Sequence, residues 1–368
     1  MNSVPMSMYN EKIKNKNMKH IANKITTAGL GFLLIGCTGQ ELPDDGRGVV
    51  SLQPHFLTGT TDTRSLVSGT ASTTGGGNVH QINLYVTKNT DNAVYPGITL
   101  NGTIGLSQFT YNGTAWTGNP TVNLHNEEAR IYAYYPVNVT PTHASGDTHT
   151  IPVTNITSTQ TFDGANTWNC NVTDYLYGSA QQVSDAPITA SNQSFEPAIW
   201  MRHALAQVVF KMQTASGRPV DTYDYIKKIT MKTDGGTSFL TGSGTMQLKD
   251  GVIASLSTAK EISFTPSVNP VQCGANGLAK VVAYGLVAPL SAQLSNVTLT
   301  IEIGDKTSDT NKRILSVTND AAFSVQWEKG KRYVYNLTLT DRAIVVSETS
   351  ITAWTPATGN GELRPDGF

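Results

Sequence analysis

Arg130-Ile131-Tyr132-Ala133-Tyr134-Tyr135 is a run of β-branched and aromatic residues closed by Pro136. It predicts a strand that stops where the backbone loses a donor. The chain repeats this pattern on both sides. Ile82, Leu84 and Val86 fall on one face of a period-two strand. Residues 109–116 read as a hairpin, because Asn112-Gly113 supplies the positive φ angles of a type I′ turn. Residues 204–212 are apolar with Val208 and Val209 at their centre, which favours strand over helix. Residues 246–253 form a second hairpin around Asp250-Gly251, and 281–286, 297–303 and 333–339 continue the series. No stretch sustains an amphipathic helix. Short strands separated by Gly/Asn turns predict an all-β protein built of sandwiches. The chain divides near residue 195 into a loop-rich half (65–195) and a more regular one (196–368), with long loops at 141–147 and 183–194.

The N-terminus carries a different signature. Lys12, Lys14, Lys16, Lys19 and Lys24 precede an apolar run over 25–36, too short to span a bilayer and of the length of a signal sequence. Leu34-Ile35-Gly36-Cys37 ends it as a lipobox does, so 1–36 reads as a lipoprotein signal peptide and Cys37 as the lipidated residue. Met18 offers an alternative start, and a plain secretory signal before a chance cysteine is the competing reading. The segment 37–64 opens with acids, contains the strand-like Val49-Val50-Ser51-Leu52, and closes on a polar stretch ending in Arg64; a Ser/Thr/Gly-rich lead-in follows to residue 78.

The whole chain has 26 basic and 27 acidic residues; five lysines and one glutamate lie in 1–36, leaving 21 and 26 and a formal charge of −5. Such a mildly acidic chain has no electrostatic case for nucleic acid. Beyond Cys37 only Cys170 and Cys273 remain. They read either as a disulfide of an oxidising compartment or as two isolated buried thiols, and neither has the CxxC partner of a zinc or redox site.

Several of these segments together resemble the fimbrillin family, the lipoprotein pilin subunits of type V pili and related fimbrial components of anaerobic Gram-negative bacteria. They are the lipobox at Cys37, Tyr132-Ala133-Tyr134-Tyr135-Pro136, Asp174-Tyr175-Leu176-Tyr177-Gly178, and Met201-Arg202-His203-Ala204-Leu205-Ala206-Gln207-Val208. The stretch Trp327-Glu328-Lys329-Gly330-Lys331-Arg332-Tyr333-Val334-Tyr335-Asn336-Leu337 and the closing 344–354 segment add to them. The resemblance implies two transthyretin-like β-sandwiches in tandem, delivery to the outer membrane through a lipid anchor, and a processing protease that prefers Arg or Lys. It further implies that removal of an N-terminal strand opens a groove, which a strand from another fimbrial subunit then fills. Arg64 is the expected cut, with an ordinary surface arginine as the competing reading. Arg47 precedes the plug strand, and Pro54 is expected to limit how far that strand pairs. The donor is expected in 343–354, unless that segment is simply the last strand of the second sandwich.

Catalytic and metal chemistry are not indicated, and no cofactor is implied. His80, His125, His143, His149 and His203 share no ligand spacing, His125-Asn126-Glu127-Glu128 lacks the HExxH order, and no G-x-S-x-G elbow or phosphate loop occurs. Glu127-Glu128 reads as a solvated turn, and His203 as a satisfied histidine at the start of a strand. The alternative function is a non-polymerising surface lipoprotein that binds glycan or host protein. For it, Trp168 in the loop-like Asn166-Thr167-Trp168-Asn169 is the candidate sugar-stacking residue, whereas Trp327 and Trp354 read as core.

Overall fold

The computed structural model describes residues 48–51, 53–56, 79–164, 168–309, 311–318 and 321–354. Among them the extended elements are all β-strands, and the one helical turn is a 3-10 segment at Ala321–Phe323. The described residues all fall within one compact unit by their internal contacts.

The larger sheet of the first half is ordered Gln53–Phe56, Ala198–His203, Leu176–Ser179, Ala129–Tyr135, Gln81–Lys88, Leu106–Tyr111 and Trp116–Asn119, with Ile188–Ala190 also on Ala129–Tyr135. Its central strands are apolar on both faces, and the two faces differ chemically. Ile82, Leu84, Val86, Ile131, Ala133 and Leu176 point into one core, closed on its far side by Val50, Tyr95, Ile98, Val122 and Leu124. Tyr85, Tyr132, Tyr134 and Tyr177 point the other way, into the core shared with the second half. A buried hydroxyl is tolerated only when paired, and each of these is. Tyr85 bonds His143 Nδ1 at 2.8 Å, Tyr132 donates to Asp147 at 2.5 Å, Tyr134 to the Val139 carbonyl at 3.0 Å, and Tyr177 to Asp185 at 2.7 Å.

In the second half, Lys280–Val287, Ala206–Thr214, Lys331–Leu339 and Ile344–Ala353 form one sheet. A second sheet contains Thr159–Phe162, Glu261–Pro266, Tyr225–Thr233, Val297–Gly304 and Arg313–Thr318. Residues of both sheets, among them Val208, Phe210, Tyr335, Ile229, Phe264 and Ile301, share one core.

Strand pairing does not follow the expected division at 195. Ala198–His203 belongs to the first sheet, while Thr150–Ile156 pairs with Phe239–Gln247 and Thr159–Phe162 with Glu261–Pro266. The fully buried Gln160 fixes this crossing: its amide donates to the Leu286 carbonyl at 2.5 Å and accepts from the Leu286 N–H at 2.9 Å, standing in for a peptide group between the sheets. The 109–116 hairpin also differs from expectation. Tyr111 pairs with Trp116, so four residues close it. Of the Asn112-Gly113 pair only Gly113 has positive φ (104°), and the Asn112 side chain caps the turn by accepting from Thr114 N at 3.0 Å and Ala115 N at 2.9 Å.

The halves meet on the tyrosine face. Lys329 Nζ sits 4.8 Å above the Tyr177 ring and bonds Asp185 at 2.8 Å, and Arg202 bonds the same carboxylate at 2.5 Å. Burial, the largest single influence on the Asp185 carboxyl, raises its pKa, but Lys329, the Tyr177 hydroxyl and Arg202 together outweigh it and hold the group below its usual range. His203 stacks on Trp354 with centroids 3.6 Å apart and bonds the buried Asp174 through Nδ1 at 2.9 Å. It stands at the end of Ala198–His203, not at the start of the next strand.

Gly251 (φ 69°) lies flat on Tyr177, where a Cβ would come within 2.2 Å of the ring. Gly146 has the same backbone (φ 69°) with open space around it. In urea unfolding, Gly146→Ala should cost about 1 kcal/mol for its φ alone. Gly251→Ala should cost about 2–4 kcal/mol, since the Tyr177 ring must also shift. Equal losses in the two variants would show that the ring contact contributes nothing.

His149 is packed edge-on to Tyr85 and Tyr132 at 5.3 and 5.0 Å and stacks on His143 at 4.8 Å. Desolvation, helped by His143, pushes its pKa from 6.5 down to about 4. The unfolded chain therefore binds more protons than the folded one between these values, and stability is lost as pH falls from about 6.5 towards 4. His149→Gln should flatten this acid slope in thermal melts at pH 7, 5 and 4; an unchanged slope assigns it to other groups.

Candidate functional site

The polypeptide that precedes the first sheet occupies its open edge. Gly48–Val49 pairs antiparallel with Asn123–Leu124, in the register Gly48 to Leu124 and Val49 to Asn123. Val50 then donates to the Val122 carbonyl at 3.0 Å and Ser51 to that of Phe195 at 3.1 Å. Gln53–Phe56 runs parallel to Ala198–His203, with Gln53 opposite Ala198 and Phe56 opposite Met201. Residues 48–51 and 53–56 thus pair with two places in the first half that share no strand pairing of their own.

The local reasons are visible in the residues. The side chain of Val50 is 5% exposed and joins the aliphatic core, while Val49 on the opposite face is 51% exposed. Gly48 passes so close to Asn192 that a Cβ would lie 2.7 Å from its Cα. Ile199 and Met201, the inward residues of the accepting strand, are fully buried in the same core. Beneath the crossing, Tyr95 donates to the Glu127 carbonyl at 3.1 Å and accepts from His125 N at 2.8 Å, which sets the course of the 122–128 segment. Burial raises the Tyr95 hydroxyl pKa, so it stays a neutral donor.

Backbone hydrogen bonds hold residues 48–51 and 53–56, each contributing about 0.5–1.5 kcal/mol net. Burial of Val50 adds roughly 1.5 kcal/mol. Main-chain ladders of this kind accept extended chain in a suitable register.

The strand expected at 49–52 is in part seen as backbone pairing, and Leu52 lies outside the described residues. Val49, Val50 and Ser51 are placed there, and pairing continues through Pro54, contrary to the expected limit. Gln53–Phe56 is the outermost strand of its sheet, where a residue without an N–H is accommodated. Cys37 and Arg64 lie outside the described residues. The expected donor, Ile344–Ala353, is the outermost strand of the second sandwich, paired along its length with Lys331–Leu339. Cys170 and Cys273 are both buried and are not bonded to each other, and burial raises the Cys273 thiol pKa to about 11.

Other sequence candidates resolve into structure. Trp168 is 8% exposed, packs on Tyr284 at 5.0 Å and lies under the Arg332 guanidinium at 5.3 Å; it is core, not an exposed sugar platform. Trp327 and Trp354 are buried. Glu127 pairs with Lys88 at 2.9 Å on the surface, and among the described residues no group of His, Cys, Asp and Glu could hold a metal ion. Sequence reasoning missed Gln53–Phe56, whose Pro54 masked it, and the partner segment 122–125, which carries no alternation.

The fimbrillin-like family model matches residues 63–354. The chain belongs to the fimbrillin-like family. Membership makes it a fimbrial or adhesion-related protein of the cell surface, structural rather than enzymatic, with other fimbrial subunits as its partners. Among solved structures it is similar to a fimbrial protein from Bacteroides vulgatus, at 16% identity and a TM-score of 0.52 over 83% of this chain and 99% of that one. It is also similar to a protein from Bacteroides uniformis ascribed to cell adhesion, at 18% identity and a TM-score of 0.50 over 84% and 100%. At such identities the likeness establishes the fold. No curated protein matches the chain.

Val50→Asp places a charge in the aliphatic core without touching the receiving strands. Hydrogen exchange should then quicken at the amides of 122–124 and 198–201, while the second sandwich keeps its protection. Unchanged exchange at both places would mean that Val50 does not hold the segment.

Proposed function

We propose that this protein is a fimbrial subunit exported as a lipoprotein through Cys37 and carried to the outer membrane by its lipid anchor. A protease with Arg or Lys preference cuts after Arg64, and the released 37–64 propeptide vacates the strand site of the first half. A strand from another subunit then occupies it, and the resulting fibre supports adhesion. One observation carries this reading: residues 48–51 and 53–56 complete the first sheet from outside it, through main-chain bonds that another strand can make. Arg64 lies eight residues beyond Phe56, so cutting there frees the whole bound segment. Filling the site before export also covers an edge that would otherwise pair indiscriminately.

The donor must come from a chain that can spare it. Ile344–Ala353 would first have to leave Lys331–Leu339, and the buried Ile344, Val346 and Trp354 oppose this. Exchange through this segment is therefore slow in an isolated subunit and favoured only where the vacated site is offered.

Limiting trypsin on residues 38–368 should yield a new N-terminus at Ser65, followed by a heat-labile ladder on a gel. Arg64→Gln should block both, and Arg47→Gln neither. A fold that survives digestion with Arg64 uncut rejects the maturation step and leaves an uncleaved surface lipoprotein. Cutting without a ladder, even with partner subunits added, rejects strand exchange.

A further inference from the structure

Ala206–Thr214 and Lys331–Leu339 run parallel, both starting at the junction with the first half, where Gly330 N bonds the Leu205 carbonyl at 2.9 Å. Their far ends therefore lie at the opposite end of the second sandwich. The loops that follow them, together with the loop after Val297–Gly304, surround a cavity of about 500 Å³ lined by Arg218, Asp221, Tyr223, Asn311, Arg313 and Asp341 among others. Its size falls in the range of small-molecule sites, about 300–1,000 Å³.

The floor is built around one carboxylate. Asp224 is wholly buried and accepts Arg218 in a two-pronged pair, both bonds 2.7 Å, as well as the Asp221 N–H at 2.8 Å. Arg313 Nη2 adds a fourth bond at 3.1 Å. Arg313 is thereby fixed through one nitrogen while its side chain remains 40% exposed. Among the described residues its Nε and Nη1 donors have no protein acceptor. The rim is of the opposite kind. Asp341 is 86% exposed in its side chain and reaches Arg218 Nε at 3.3 Å, and Tyr223 is 40% exposed.

A guanidinium fork with idle donors selects a planar carboxylate. Asp221 and Asp341 offset the charge of Arg218, Lys312 and Arg313 around the cavity, which favours an anion of low charge, and each carboxylate accepts hydroxyl donors well. The exposed Tyr223 ring offers a flat apolar surface beside them. A ligand that satisfies all three carries one carboxylate, several hydroxyls and an apolar ring face. We infer that this cavity binds a carboxylated sugar, a sialic or uronic acid residue, with its carboxylate on Arg313, its hydroxyls on Asp221 and Asp341, and its ring against Tyr223. The site lies at the other end of the molecule from the strand receptor and does not depend on strand exchange.

The test is a ligand-observed NMR titration of residues 38–368 with N-acetylneuraminic acid, glucuronic acid, glucose and acetate. Saturable binding of at least one acidic sugar is expected, with glucose and acetate at least about tenfold weaker. Arg313→Gln should weaken the acidic sugar at least about tenfold, and Arg218 still satisfies Asp224 in that variant, so the fold is kept. Tyr223→Ala leaves the whole ion cluster intact and should weaken the same sugar; it serves as the readout if Arg313→Gln melts early. Absence of saturable binding by both acidic sugars overturns the assignment. So does binding of acetate or glucose as tight as that of the acids, or full affinity in both variants.

Discussion

The structure depends on a sheet that must be buried on both faces. A strand such as Ala129–Tyr135 has no solvent side: Ile131 and Ala133 enter an aliphatic core, Tyr132 and Tyr134 a polar-rimmed one. The first requires a cover, and the first half supplies only short pieces for it. The second requires a partner for every hydroxyl, which the 137–149 segment and Asp185 provide. Both demands have functional results. The thin cover leaves a place that residues 48–56 fill, and the tyrosine face binds the two halves into one unit.

The all-β class was legible because period-two alternation is local, and the short strands around Ile82–Val86 and Val208–Val209 state it directly. The crossing of Thr150–Ile156 and Thr159–Phe162 to the sheets of the second half was not. A strand's partner lies hundreds of bonds away, and the deciding contact, the Gln160 amide at Leu286, leaves no periodic trace. The same holds for the turn at Asn112-Gly113, where a side-chain cap replaced the backbone geometry that the dipeptide usually signals.

Of the strand site, Val50 was readable as the apolar point of a short strand, while Gln53–Phe56 was hidden by a proline that an outermost strand accommodates. The cavity of the second half was invisible for a different reason. Its residues come from positions 218–223, 311–313 and 341, and no spacing unites them. What does unite them is the desolvation of Asp224, which brings Arg218 from a loop and Arg313 from the start of its strand onto one carboxylate.

Gly48 runs against the Asn192 backbone with no room for a side chain. That contact works as a gauge mark: only a residue without a Cβ fits there at this distance, so Gly48 fixes where the segment sits along Asn123–Leu124, and the ladder cannot slip by a residue in either direction without driving a side chain into the Asn192 backbone.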